Sequence, residues 1–443
     1  MDAPADHAEA PVQAELHGDV KTFFLAGDTA RWLVLDDAAL AALAKAGLDE
    51  DEALSAFGLD ASPFGEAVAS GRLKGTVQAG PLRLEAHWAI AASTPTSATS
   101  VGVGTGVGLS APELVPLSWA PDLGDGLVLR HRIDRLVLSA KLPHADVALG
   151  RQPISFGSGR VFAPLDLVNP FSPATIDTEY KPGVDALRAD AYAGVSGRVT
   201  AVAAWGGEPV VGEDADPSGA DLIAAAYGQG TVGVTDVGLF AGDVHGDVVV
   251  GASTTSSIGP VGVHGDAAVT FPGALGGESE EPFLRAVVGA DGRPTGTTTL
   301  TGEAYLQTFG AADPSGYLDE LSGDRFLRGE VWALGRVYGA VAVSQELTPL
   351  IHVSGSVIVN VLDPSALVAL GGSWSVADEA DVVFGGYVPV GARPDEVPLS
   401  LGIDPTTGAP TLIAPSTDAL ADSVRSEFGL YPAVAHVQVR VYF

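Results

Sequence analysis

Ala435-His-Val-Gln-Val-Arg-Val-Tyr-Phe443 alternates to its end: Ala435, Val437, Val439, Val441 and Phe443 are apolar, while His436, Gln438 and Arg440 between them are polar. Successive side chains of a strand point to opposite faces, so this segment has one oily side and one wet side. With a period of two, a slip of one residue would exchange every face. The reading is therefore a strand that sets Val437, Val439 and Val441 against an apolar medium and His436, Gln438 and Arg440 against an aqueous one.

The whole chain shows the same division. Hydrophobic residues make up 46% and the mean hydropathy is +0.26, yet the net charge is −32. Oily strands joined by polar, acidic loops produce that combination in a membrane barrel. Gly at 56 and Met at 1 favour strands and turns over helices. The absence of Cys excludes disulfides and zinc–thiolate sites. An acidic total argues against nucleic acid, which needs a basic face. The longest uncharged run, Ala89 to Pro112, is Ser/Thr/Gly-rich, contains Pro95, and reads as a loop. Met1-Asp-Ala-Pro-Ala-Asp6 has neither the basic region nor the apolar core of a leader, so the numbering is expected to begin near a mature N-terminus, with Met1 added.

Residues 1–13 read as a tail and Ala14–Leu25 as a first strand. Asp36–Phe57 is Ala/Leu-rich with apolar residues three and four apart, a helical insertion. Strands return at Arg72–Ala91, turning at Ala79-Gly80-Pro81, and a glycine-rich loop covers 94–126. Arg130–Trp205 holds several strands around a long loop. From Leu222 short strands recur, among them 328–345, and a second helical patch spans Thr417–Phe428. The expected fold is all-β: one transmembrane antiparallel up-and-down barrel over 14–443, of about 16 strands, with 14 or 18 as alternatives. Ala14–Leu25 is expected to close it against Ala435–Phe443, because an open sheet edge cannot sit in lipid.

Three stretches carry a resemblance. They are Leu149-Gly-Arg-Gln-Pro-Ile-Ser-Phe-Gly-Ser-Gly159 with Pro164-Leu-Asp166, Asn169-Pro-Phe171 and Gly183-Val-Asp-Ala-Leu-Arg188; then Asn360-Val-Leu-Asp-Pro-Ser365; then Ser426-Glu-Phe-Gly-Leu-Tyr-Pro432 leading to the terminal Phe. Together they resemble a poorly characterised group of porin-like outer-membrane barrels of Gram-negative bacteria, in the neighbourhood of alginate-export barrels. The resemblance implies a single-chain barrel in the cell outer membrane, often with an inward loop. It implies that Phe443 is the signal read by the barrel-assembly machinery, and that membrane lipid and lipopolysaccharide surround the wall. Aromatic content is low at 7%, so Trp88, Trp205, Trp332, Tyr338, Trp374, Tyr387 and Tyr442 are needed for the interfacial girdles.

Basic residues gather in one region. Between 130 and 198 nine basic residues face seven acidic ones, in a chain of net −32. Arg130, Arg132 and Asp134 share one strand face, with Leu129 and Ile133 on the other. Arginine facing lipid costs roughly 2–4 kcal/mol at the midplane, so the charged face belongs to the lumen. The candidate pore-lining and constriction residues are Arg130, Arg132, Asp134, Arg151, Asp166 and Arg188. They could attract anions, or simply pair and hold the wall together. Residues 153–182 contain Pro153, Pro164, Pro170, Pro173 and Pro182, which bar ladder pairing, and Phe156, Phe162 and Phe171, which need a packing partner. This loop is expected to fold inward and narrow the path.

Other patterns are weak. His-Gly-Asp at 17–19, 245–247 and 264–266 lacks an adjacent nucleophile and reads as polar lumen residues. Gly102-Val-Gly-Thr-Gly-Val-Gly108 lacks the lysine of a phosphate loop. No Gly-x-Ser-x-Gly or His-Glu-x-x-His occurs, so no catalytic residue and no enzyme activity is assigned. Acidic clusters such as Glu213-Asp-Ala-Asp216 leave structural calcium as an open option, and no other metal or cofactor is called for. The leading expectation is passive diffusion of small polar or anionic solutes. The alternative is a plugged barrel that serves as a structural or docking component of an envelope complex, with other envelope proteins as partners.

Overall fold

The structure is a computed structural model that describes residues 12–28, 32–47, 63–94, 112–121, 127–170, 177–207, 221–275, 281–403, 410–413 and 415–443. Eighteen antiparallel strands form a ring: β1 Gln13–Asp28, β2 Phe64–Ala79, β3 Leu82–Ser93, β4 Val128–Lys141, β5 Ala145–Gln152, β6 Val184–Ala193, β7 Gly197–Trp205, β8 Leu222–Val232, β9 Thr235–Val244, β10 Asp247–Ile258, β11 Val261–Phe271, β12 Phe283–Thr295, β13 Thr298–Gln307, β14 Val337–Thr348, β15 Ile351–Asn360, β16 Ser365–Ala377, β17 Ala380–Val390 and β18 Ala433–Tyr442. Each pairs with its chain neighbour, and the ring closes where β1 meets β18, from Asp19↔Tyr442 to Asp28↔Ala433. Closure satisfies both edges at once. Phe443 extends this seam: its carbonyl accepts from Gly18 N at 2.8 Å and its own N–H donates to Gly18 O at 2.9 Å. A Cβ on Gly18 would lie 2.4 Å from the Phe443 ring, so glycine is what lets the terminal side chain cross the strand there.

The ring has eighteen strands rather than about sixteen. The difference lies in 130–205, which holds four strands in two hairpins with short turns at 142–144 and 194–196. Without a run of turn residues between them, such strands merge in a one-dimensional reading. The strand expected from 328 begins only at Val337, because short helices at Tyr317–Ser322 and Asp324–Leu327 and an irregular stretch precede it.

One end of the ring has turns of two or three residues, the other the long connections 29–63, 94–127, 153–183, 206–221, 308–336 and 391–432. Along β18, Val437, Val439 and Val441 are 45%, 40% and 44% exposed while Gln438 is 1% exposed. The same alternation exposes Leu239, Val288, Val341 and Leu370 on other strands. A strand of about 10 residues at ~3.3 Å per residue, tilted ~40°, spans about 25 Å, the height of a barrel's apolar band. Trp88 and Trp374 are exposed on the outside, as a girdle requires. Tyr338 and Tyr387 are buried instead, and Trp332 packs against the buried cluster around Tyr338. Among the described residues no helix is long and apolar enough to cross a membrane.

The helical insertion is Asp37–Ala46. Asp36 caps it by accepting from Ala39 N, and Gly47 ends it in the left-handed region at φ 71°. Residues 48–57 of the expected helix lie outside the described residues. The helix packs Ala39 and Leu43 on Leu35 and Leu399 of a small side sheet formed by Leu33–Leu35, Val397–Ile403 and Pro410–Ile413. The larger apolar clusters lie inside the ring, where Ile154, Phe156, Phe162, Leu165 and Leu167 pack on the wall.

Candidate functional site

The inner face of β18, β1, β2 and β4 carries a run of ion pairs. Lys21 on β1 lies 2.7 Å from Asp177 and 2.9 Å from Glu179, both in the 153–182 segment. Arg440 on β18 reaches the same carboxylates at 3.8 and 3.4 Å, and Gln438 donates to Asp177 at 3.1 Å. Lys74 on β2 pairs with Asp19 at 2.9 Å and donates to the Tyr180 hydroxyl at 2.7 Å. Arg72 lies over the Tyr180 ring, 4.3 Å from its centroid, and pairs with Asp134. Burial works against the Asp177 carboxylate, but Lys21 beside it prevails and holds its pKa below the usual value. Burial pushes the Tyr180 hydroxyl up to about 12, so it stays protonated and can donate.

Of the six residues singled out from the sequence, three meet here. Arg130, Arg132 and Asp134 line one cleft, shared with Asp19, Lys21, Arg72 and Tyr180. Arg130 is exposed. Arg132 donates to Gly183 O at 3.2 Å and sits 3.7 Å from both Glu113 and Asp134. Asp134 is buried and also pairs with Arg135 at 3.3 Å. Strict alternation would turn Arg135 outward with Ile133. A bulge opposite His87/Trp88 makes Asp134 the extra residue and returns Arg135 to the inner side. The cost of an arginine in lipid was the one sign of this in the sequence.

Arg151 stands elsewhere. The β4–β5 ladder runs only from Leu136↔Arg151 to Lys141↔Asp146, although β4 continues to Val128. Gly150 adopts φ 121°, where a Cβ would meet the Leu136 carbonyl oxygen at 2.0 Å. The freed edge of β4 pairs with a two-residue strand, Ser118–Trp119. In the gap the Arg151 guanidinium binds Asp185 at 2.8 Å, Glu113 at 3.0 Å, Ile133 O at 3.0 Å and Val115 O at 2.8 Å, with 0% of its side chain exposed. It does not reach open lumen, because four segments use all of its donors. Arg188 is partly exposed and pairs with Asp190 at 2.8 Å, next to Arg198. Asp166 pairs with Lys181 at 2.6 Å rather than with a wall arginine.

On the opposite wall the contacts have another chemistry. Asp266 on β11 accepts from Ser158 N at 2.8 Å, Gly159 N at 3.0 Å and Ser158 Oγ at 2.6 Å. Glu303 on β13 accepts from Arg160, Val161 and Phe162 N at 2.6, 3.0 and 2.9 Å. Two carboxylates thus hold five consecutive main-chain N–H groups. Phe162 stacks on Tyr305 at 4.8 Å and on Trp332 at 5.5 Å. His264 lies 2.8 Å from Glu303, while His17 and His245 make no such pair with an Asp two residues on; of the three repeats only 264–266 touches the inner segment. Sequence reasoning missed Asp266 and Glu303, since an acid on a wet face looks alike whether it meets water or a loop. Phe171, the 102–108 glycine run and Glu213–Asp216 lie outside the described residues.

The segment from 153 to 182 therefore touches inward-facing side chains of β11, β13, β18 and β1, on separate parts of the ring. No family model and no curated protein matches the sequence. In fold it is similar to the crystal structure of Acinetobacter baumannii OccAB4, with a TM-score of 0.51, 7% identity, and coverage of 98% of this chain and 99% of that one. OccAB2 of the same organism gives 0.51, 7%, 97% and 98%, and Pseudomonas aeruginosa OccK5 (OpdH) gives 0.50, 8%, 97% and 97%. These are outer-membrane porins, and the likeness establishes a shared barrel fold. The placement beside alginate-export barrels finds no support among the three.

Proposed function

We propose that this chain is an outer-membrane channel through which small polar or anionic solutes diffuse, narrowed by the 153–182 segment. The observation that carries the reading is a closed ring with apolar residues outside and charged residues inside, with one segment held from both sides of the interior. A water-filled, charge-lined lumen needs no covalent step, and arginine forks suit carboxylates and phosphates. The long connections face outward and the short turns inward to the periplasm, as in bacterial barrels. Phe443, at the seam and 64% exposed, is the residue we assign to recognition by the assembly machinery. Lipid and lipopolysaccharide contact the outer face.

The test is single-channel recording in planar bilayers. A stable open conductance supports the reading. Arg130→Glu with Arg132→Glu should move the reversal potential towards cations, and an unchanged value in a folded variant would sink anion selectivity. Deleting part of 153–182 should raise the conductance. The depth of contacts made by that segment favours a second reading, a plugged barrel that docks other envelope proteins. Repeated silence of the folded protein would select it.

A further inference from the structure

The inner ends of β12 to β15, at the rim with long connections, enclose a cleft of about 450 Å³ against residues 159–166 and 330–333. One side of it is aromatic: Phe162 lies nearly parallel to Tyr305, at 3°, and to Trp332, at 15°. Beside it stands Arg285, 2% exposed, whose Nε and Nη2 have no hydrogen-bond partner. Those two atoms form the side-on edge of a guanidinium, the edge that takes a carboxylate with two parallel bonds. Buried N–H groups left without acceptors cost about 1–3 kcal/mol, so a native protein that keeps them calls for an explanation.

Neighbouring acids do not supply one. Glu330 is 3.4 Å from Arg285, too far for a hydrogen bond, and is shared with Arg325 and Arg328 at 3.2 Å each. Those arginines prevail over burial and hold the Glu330 pKa below its usual value, so it stays ionised and committed. Asp166, the other acid of the cleft, is occupied by Lys181. Arg160 adds an exposed cation at the same cleft. The volume suits one ring with a short substituent, within the range of small-molecule sites.

We propose that this cleft is a binding site for a planar aromatic carboxylate, its ring against Trp332 and Phe162 and its carboxylate on Arg285. The inference rests on the channel reading and names a solute class for it. A turn about the last torsions of Arg285 brings Nε–H and Nη2–H to the anion, a change between ordinary rotamers. The site stands apart from the ion pairs of β1, β2 and β4, so it would hold a solute at the outer mouth before the narrow part.

The test is calorimetric titration of the full-length, detergent-purified barrel with benzoate, alongside acetate, benzyl alcohol and cyclohexanecarboxylate. Saturable benzoate binding is expected. Arg285→Gln should weaken it roughly tenfold or more, the loss of a charge-assisted fork. Cyclohexanecarboxylate should bind about two- to tenfold more weakly, since it keeps the charge and loses ring stacking. Arg285→Lys keeps the charge without the fork, and Trp332→Leu keeps the charge without the ring. Each should weaken benzoate binding, and both stand in if Arg285→Gln does not fold. Absence of saturable binding by folded wild type, or unchanged binding in the Arg285 and Trp332 variants, overturns the proposal. Titration needs no membrane, so the two readings fail separately. Silent bilayers with benzoate still bound would remove only the channel, and open channels without benzoate binding would remove only this site.

Discussion

The two sides of the lumen hold the same inner segment in different ways. On β18, β1, β2 and β4 the hold is charge to charge: Lys21, Arg440, Lys74 and Arg72 against Asp177, Glu179, Asp19 and Asp134. On β11 to β15 it is carboxylate to main-chain N–H, backed by stacked rings. A side-chain pair can exchange partners with a passing ion. A carboxylate that caps five N–H groups fixes the backbone itself. The first wall can both hold the segment and present charge to a solute, whereas the second wall mainly sets where the segment lies.

The largest effect is expected in the charged half at Arg151. Arg151→Met leaves Asp185 and Glu113 buried without their partner, at a cost of about 3–5 kcal/mol. The thermal midpoint of the heat-modifiable species should fall steeply, and an unchanged midpoint would show that this wall does not depend on its pairs. In the aromatic half the comparable element is Glu427, in the connection before β18. It is fully buried and accepts from Asn360 Nδ2 at 2.6 Å, Leu334 N at 3.1 Å and the Tyr338 hydroxyl. Burial raises its pKa from 4.5 to about 7. Between those values the folded protein keeps a proton that the unfolded chain releases, so stability falls as pH rises through the window and levels off above it. At about 1.4 kcal/mol per unit the fall is at most about 3 kcal/mol. The midpoint should be lower at pH 8 than at pH 5, and Glu427→Gln should remove the drop; a drop that persists in the variant would assign it to other groups.

A smaller effect sharpens the contrast directly. Asp266→Asn with Glu303→Gln should weaken the hold on residues 158–162 by about 1–3 kcal/mol per carboxylate and raise open-channel noise. Lys21→Met should leave that noise near wild type, because the opposite wall still fixes the backbone. Equal noise in both variants would erase the distinction between the walls. The smallest structural effect belongs to Arg130→Glu. Arg130 is exposed, so stability should stay within about 0.5 kcal/mol while the reversal potential moves towards cations.

Much of the wall was legible in residues that repeat with period two. Val437 to Val441 with His436 to Arg440 defined a face, and a chain with two such ends implied their pairing. The short hairpins around 142–144 and 194–196 were not legible, because nothing in their composition separates a turn from the strands it joins. Arg130, Arg132 and Asp134 were placed on one face from alternation alone. Arg135 was not, because a bulge is an extra residue in one strand relative to its partner and exists only in the pair.

By itself the sequence determined the class of element, the face each strand turns to water, and the need for closure, all of which follow from local periodicity and the cost of bare backbone in lipid. Tertiary structure alone decided which carboxylate answers which cation and which N–H: why Arg151 fills the gap left by a parted ladder, why Asp266 and Glu303 cap a segment more than a hundred residues away in the chain, and why Arg285 keeps an open edge beside three stacked rings. Those outcomes depend on side chains meeting across the interior of the ring, at distances in sequence over which no periodic pattern carries information.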